Sequence, residues 1–188
     1  MIEVHLPAEL ATRLLRELHR AGANEIGGVL ATEHVSDGVF RICDLSVQRS
    51  GGTPTFFVRD PVVHRRFIRR FLDRTGHQYD SFNYLGEWHS HPSFPVQPST
   101  TDLRQMQALI EERDQVANFL VLVIVKRERD GTLAGSAHAF RRGIAPVRVR
   151  LVIAGNGADL PTFKPAPRLS LRKLLALRHE GCDGHSTR

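Results

Sequence analysis

Residues 86–92 read Gly86-Glu87-Trp88-His89-Ser90-His91-Pro92. In an extended strand, residues two apart point to the same face, so His89 and His91 can present ring nitrogens to one ion while Ser90 faces away. Pro92 favours the end of the strand, because proline cannot donate a hydrogen bond to a sheet ladder. This stretch therefore predicts a strand that ends in two potential metal ligands.

A third potential ligand follows in the next element. Ser99 and Asp102 have the Ser-x-x-Asp spacing of a helix N-terminus, which predicts a helix over 99–113. Asp102 in its first turn would complete a set of three with His89 and His91, the number of protein ligands typical of catalytic zinc. Taken singly, each residue has an alternative interpretation, a hydrogen-bonded histidine or a helix cap. Spacing alone leaves both interpretations open.

Hydrophobic periodicity predicts one mixed α/β or α+β domain over residues 1–154. The run 118–126 is apolar through most of its length, which is typical of a central strand covered on both faces. The other predicted helices are Pro7–Leu18 and Pro61–Asp73, and the other predicted strands are Ile26–Val35, Val39–Val47, Phe56–Val58, Tyr84–His91, Leu133–Phe140 and Val147–Ile153. The sequence predicts a basic, irregular C-terminal appendage over residues 155–188, with a short helix over 169–177.

The net charge of +6 is unevenly distributed. Residues 1–140 contain 16 Lys and Arg against 17 Asp and Glu, whereas residues 141–188 contain 10 against 3. Such a basic segment can contact phosphate, but no aromatic residue follows Phe163 to stack on bases. We therefore expect the basic segment to be a solvated tail rather than a nucleic-acid-binding segment.

Several classes of protein are disfavoured by composition. No apolar run approaches the roughly 20 residues that span a bilayer, and polar residues interrupt the first fifteen positions, so we expect a cytoplasmic protein without a membrane partner. Cys43 and Cys182 are distant in the chain. They suggest neither a disulfide framework nor a thiolate zinc site.

The polar motifs together resemble a known family. The residues are Glu25, His89-Ser90-His91-Pro92 and Ser99-Thr100-Thr101-Asp102, and they look like the JAMM motif of the JAB/MPN metalloproteases. The flanking stretches 24–30 and 86–88 also resemble the prokaryotic members. The resemblance covers residues 5–140 in order of elements and implies a cytidine-deaminase-like JAB/MPN fold, with a mixed sheet flanked by helices.

The same resemblance implies the chemistry. The family hydrolyses peptide or isopeptide bonds with zinc, often after the C-terminal glycine of a ubiquitin-like protein. By resemblance, His89, His91 and Asp102 bind zinc and Glu25 is the general acid and base, while Ser99 hydrogen-bonds the zinc-bound water or the developing oxyanion. Base deamination is disfavoured, because the Pro-Cys-x-x-Cys of the zinc deaminases is missing.

Alternatives remain at the level of residues and substrates. Glu25 could instead be an exposed acidic residue between a helix and a strand. Gly27 and Gly28 favour the catalytic role, because residues without side chains permit a close backbone approach. The expected substrate is a ubiquitin-like protein or its conjugate. A ubiquitin-like sulfur carrier needs the same chemistry, and a nucleic-acid-associated JAB module is a third reading that the sequence of residues 90–94 does not favour.

Overall fold

The computed structural model describes residues 1–57 and 60–154. It contains three helices, α1 (Ala8–Ala21), α2 (Pro61–Arg74) and α3 (Thr100–Glu111). The strands are β1 (Glu3–Leu6), β2 (Gly27–Ser36), β3 (Val39–Leu45), β4 (Gly52–Thr53), β5 (Phe56–Phe57), β6 (Phe82–Ser90), β7 (Leu120–Arg127), β8 (Leu133–Arg141) and β9 (Ile144–Ile153). The predicted mixed α/β fold class is confirmed.

Seven of the strands form one sheet that closes on itself. Their order is β1-β3-β2-β6-β7-β8-β9, and β9 pairs with β1 to complete the circuit. The pairs of β1 with β3, β1 with β9 and β6 with β7 are parallel, and the others are antiparallel. The hairpin of β4 and β5 stands apart from this sheet. The sequence predicted six of these seven strands, but neither β1 nor the closure that β1 completes.

Helix α1 packs against one face of the sheet. Its leucines at i, i+4 and i+8, Leu10, Leu14 and Leu18, are buried in one cluster with Trp88 and Val123. Burying a leucine side chain is worth about 1.5–3 kcal/mol, so this stripe holds the helix in place. The predicted role of Trp88 in core packing is confirmed.

Helices α2 and α3 cover the opposite face. Met106 and Ile110 of α3 pack on Leu122 and Ile124 of β7, whereas the neighbouring odd-numbered residues of β7 face α1. Strand β7 is therefore covered on both sides, as its continuous apolar sequence predicts. On α2, Phe71 packs on Ala31 and Phe82.

A bulge in β6 changes which of its residues face α1. The register against β2 shifts between Leu30 and Ala31, and Gly86 lies there with φ +149°. A Cβ at Gly86 would lie 2.0 Å from the Val121 carbonyl oxygen, so only glycine fits. Because of this shift, Leu85 and Trp88 both face the α1 core although they are three residues apart.

Some boundaries differ from the prediction. Strand β6 ends at Ser90 rather than His91, although the His91 amide still donates to the Val125 carbonyl oxygen at 3.0 Å. Strand β9 begins at Ile144, because Gly143 in the left-handed region (φ +65°) makes a tight hairpin with β8. The predicted C-terminal appendage, with its helix over 169–177, lies outside the described residues. In the described ranges, no helix has the length and apolar character to cross a bilayer.

Candidate metal centre and cleft

His89, His91 and Asp102 meet at one point. The Nε2 atoms of His89 and His91 are 3.1 Å apart. Asp102 lies 3.5 Å from His89 through Oδ1 and 3.6 Å from His91 through Oδ2, measured to the same Nε2 atoms. Among residues 1–57 and 60–154, no other three His, Cys, Asp or Glu side chains come close enough to share an ion.

These separations fit a zinc ion. Bonds of about 2.0–2.1 Å at tetrahedral angles place two zinc ligands about 3.3 Å apart. The three measured separations, 3.1, 3.5 and 3.6 Å, lie on either side of that value. Two imidazoles and one carboxylate are also a ligand set suited to zinc that leaves a fourth position open. The donors that spacing predicted are brought together in a geometry that suits this metal.

A loop carbonyl fixes the orientation of His91. Its Nδ1 lies 2.9 Å from the Pro95 carbonyl oxygen, which can only accept, so Nδ1 carries the proton and Nε2 keeps its lone pair for the centre. The Phe94 ring packs edge-on against the His91 ring, with centroids 6.4 Å apart. Phe94 and Pro95 therefore hold one candidate ligand in position.

The start of α3 fixes Asp102. The Ser99 amide donates to Asp102 Oδ2 at 2.7 Å, and the Asp102 amide donates to Ser99 Oγ at 3.2 Å. This reciprocal pair is a capping box. Burial acts to raise the pKa of Asp102, but contacts with His89 and His91 outweigh it and hold the pKa well below its usual range. The carboxylate is thus ionised and oriented at neutral pH.

Ser99 is exposed and lines the cleft beside Asp102. Its Oγ accepts the capping bond from the Asp102 amide, which leaves the hydroxyl proton available to a group in the cleft. Capping and hydrogen bonding to a substrate are therefore compatible at this one side chain.

Glu25 lies in the same cleft and is only 5% exposed. The alternative of an exposed acidic residue is therefore wrong. Burial raises the pKa of the Glu25 carboxyl, and although His89 and His91 act in the opposite direction, the pKa stays above its ordinary value. A carboxyl with a raised pKa exchanges protons nearer neutral pH than an exposed glutamate does.

Three residues that sequence reasoning did not single out hold the backbone around Glu25. Ser90, 1% exposed, accepts a hydrogen bond at Oγ from the Ile26 amide at 3.0 Å, and its own amide donates to the Ile26 carbonyl at 2.8 Å. On the other side, the Glu25 amide donates to the Thr53 carbonyl at 2.9 Å. A Cβ at Gly52 would lie 1.8 Å from the Glu25 carbonyl oxygen. The position of Ser90 between the two candidate ligands His89 and His91 is the one sequence signal that could have identified it.

The cleft has a volume of about 400 Å³. Phe57, Phe94 and Pro95 contribute apolar walls, while Glu25 and Asp102 contribute carboxylates. A wider groove of about 500 Å³ between α2 and α3 contains none of the three metal donors. The narrower cleft is therefore where a reacting bond would meet the candidate catalytic groups.

Comparison with known proteins shows the family to which the chain belongs. A family described as prokaryotic homologs of the JAB domain matches residues 7–143, most of the chain. The chain belongs to the prokaryotic JAB family. The matched residues include Glu25, the two histidines and Asp102, so the resemblance read from the JAMM motif is confirmed at the level of the family.

One related protein and one protein of known structure are similar to this JAB protein. It is 30% identical over 149 residues, covering 75% of this chain and 77% of the relative, to a protein of Enterobacter hormaechei subsp. hoffmannii (strain UCI 50) named CD-NTase/cGAS isopeptidase. A protein from Desulfitobacterium hafniense with a known solution structure matches with a TM-score of 0.58 at 17% identity, over 80% of this chain and 92% of the other. The second similarity concerns the fold alone.

Proposed function

We propose that this JAB protein is a JAMM-type zinc metalloprotease that hydrolyses the peptide or isopeptide bond after the C-terminal glycine of a ubiquitin-like protein or its conjugate. The observation that carries the proposal is the convergence of three zinc-type donors and a buried glutamate on one cleft. Similarity to a relative named as an isopeptidase supports a conjugate of two proteins as substrate. We place the reaction in the cytoplasm and in the domain formed by residues 1–154.

His89, His91 and Asp102 would hold the zinc ion. Bound there, zinc supplies Lewis acidity, which brings the pKa of a water near 7 and polarises a carbonyl group. Glu25 takes the proton of the attacking water and later passes it to the leaving amine, so one carboxyl acts first as base and then as acid. Its raised pKa suits this double role. The Ser99 hydroxyl donates a hydrogen bond to the oxyanion that develops on the scissile carbonyl.

The shape of the cleft favours a slender substrate tail. The rings of Phe57 and Phe94 both line it, and glycine residues allow a peptide backbone to pass where larger side chains would not. Apolar walls also exclude water that would otherwise compete for hydrogen bonds with the reacting groups. A tail ending in glycine therefore fits both the width and the chemistry.

The test is cleavage of fusions in which a ubiquitin-like protein is joined through Gly-Gly to a reporter. A ubiquitin-like sulfur-carrier fusion is included as a second substrate. We expect zinc-loaded protein to release the reporter and a chelator to stop the release. Glu25→Gln should lower kcat by about 10²-fold or more while the protein still binds zinc. Glu9→Gln, on the exposed face of α1, is the matched control and should behave as the wild type.

The proposal fails if no fusion is cleaved above the background rate, or if cleavage is equal with the chelator and in Glu25→Gln. Preference for the sulfur-carrier fusion would instead favour a role in cofactor or amino-acid biosynthesis.

A further inference from the structure

The segment of residues 46–53, here called the connecting segment, follows β3 and ends with β4. It is bonded to the core of the domain. Gln48 and Gly27 exchange backbone hydrogen bonds, with N to O distances of 2.7 and 3.4 Å. The Trp88 ring nitrogen donates to the Ser46 carbonyl oxygen at 2.8 Å. The first half of the segment is therefore fixed against β2 and β6, and β6 carries the candidate ligand His89.

The second half of the connecting segment meets Glu25. The Thr53 carbonyl oxygen accepts a hydrogen bond from the Glu25 amide, and Gly52 lies against the Glu25 carbonyl oxygen. Between these two halves stand Ser50 and Gly51, which offer little side chain for packing. Gly52 and Thr53 are paired with β5 on one side, so their position against Glu25 depends on this pairing and on how the middle of the segment is held.

The Gln48 side chain donates from Nε2 to the Ser50 carbonyl oxygen at 2.8 Å within the segment, and Arg49 ties the middle of the segment to α1. Its guanidinium donates from Nε to Glu17 Oε2 at 2.7 Å and from Nη2 to Glu17 Oε1 at 2.8 Å. Glu17 is on α1 and is 6% exposed, and it also accepts from Arg20 at 3.1 Å. Two parallel bonds from one planar guanidinium fix direction as well as distance. A buried carboxylate also needs such partners, because its charge has lost most of its water.

We propose that the Glu17–Arg49 pair positions Glu25 for proton transfer by holding the connecting segment against it. The proposal rests on the function proposed above for Glu25. Arg49 is not among the described residues that line the cleft; it is a positioning residue that acts through Thr53 and Gly52.

A second ion pair in the same domain provides the control. Arg74 of α2 donates to Asp44 at 2.8 Å, and its side chain is 62% exposed, against 61% for Arg49. Asp44 belongs to β3 and does not lie in the connecting segment. Arg74→Met therefore removes an arginine of equal exposure without touching the path to Glu25.

The first measurement is hydrogen exchange of the Glu25 amide by NMR, which needs no substrate. In Arg49→Met we expect this amide to exchange about tenfold faster, the ratio given by a loss of about 1.4 kcal/mol in local stability. In Arg74→Met the rate should stay within about twofold of wild type, a difference of less than 1 kcal/mol. Arg49→Lys keeps the charge but loses the planar fork, so its rate should lie between wild type and Arg49→Met.

The second measurement is turnover of the Gly-Gly-linked fusion by zinc-loaded protein. Arg49→Met should lower kcat by about tenfold, the same ratio, with KM and zinc content unchanged, because the metal donors do not move. A merely structural role would lower the melting temperature in both variants and leave kcat unchanged at a temperature where both are folded.

The outcomes are distinct from those of the function test. Equal exchange of the Glu25 amide in Arg49→Met and Arg74→Met overturns the positioning role whether or not any fusion is cleaved. Faster exchange with unchanged kcat also overturns it. If wild-type protein cleaves nothing, the proposed function fails and the claim about proton transfer fails with it, while the exchange rates still decide whether Arg49 holds Glu25 in place.

Discussion

Ser90→Ala should weaken both the fold and the proposed reaction. The substitution removes the Oγ that accepts the Ile26 amide at 3.0 Å, in a residue that is 1% exposed. A buried donor left without its acceptor costs about 1–3 kcal/mol. Taking about 2 kcal/mol, and about 2–4 °C per kcal/mol for a domain of this size, the melting temperature should fall by about 4–8 °C.

The effect on turnover follows from the neighbour of Ile26. Glu25 immediately precedes Ile26 in the chain, so loosening the Ile26 amide lets the Glu25 carboxyl leave the geometry that proton transfer requires. We expect kcat to fall by about tenfold or more, since displacement by about 1 Å can cost 10²-fold. Zinc stoichiometry, measured by mass spectrometry of the native protein, should stay at one.

Ser136→Ala is the matched control for Ser90→Ala. Ser136 is also 1% exposed, its Oγ is hydrogen-bonded to His138 Nε2 at 3.2 Å on β8, and it does not line the cleft. It should lose stability while keeping kcat. An unchanged melting temperature in Ser90→Ala, or an equal loss of kcat in the two variants, would refute the reasoning.

Three further predictions address the metal, the core and the pH dependence of stability. Asp102→Asn should weaken zinc binding by at least about tenfold in a competition titration, because a charged ligand becomes neutral; unaltered affinity would contradict its assignment as a ligand. Leu122→Ala, in the core between β7 and α3, should lower the free energy of unfolding by about 2–5 kcal/mol, measured by urea denaturation, and a loss below 1 kcal/mol would contradict tight packing there. The hydrogen bond from Arg49 lowers the pKa of Glu17 below its ordinary 4.5, so its stabilisation is present above about pH 4.5 and is lost as the pH falls through the lower, folded-state pKa. Glu17→Gln should therefore narrow the difference in stability between pH 6 and pH 3, and an unchanged difference would show that the Glu17 pKa is the same folded and unfolded.

The metal donors could be predicted because their signals are local. The alternation of residues in a strand places His89 and His91 on one face, and the spacing of Ser99 and Asp102 specifies a helix cap. Both patterns span only a few residues. The structure brings these residues together as the spacing suggested.

Other parts of the site have no local signal. Glu25 lies far from the histidines in the chain and was assigned through a family resemblance. The contacts of Glu25 with Gly52 and Thr53 depend on how a two-stranded hairpin packs. The closure of the sheet depends on pairing the first strand with the last. Hydrophobic periodicity reports which face of an element is buried, but not which distant element covers it.

Closure of the sheet also bears on how the chain folds. Strand β1 fills the gap between β3 and β9, and Glu3 pairs with Arg150 across nearly the whole described chain. Contacts between such distant residues are slow to form, because a large loop must close first. Until β9 has been synthesised, β1 leaves one edge unpaired, and such an edge can pair with another chain. A protein lacking residues 1–6 would expose the edges of both β3 and β9, so aggregation, rather than loss of the metal site, would be its first defect.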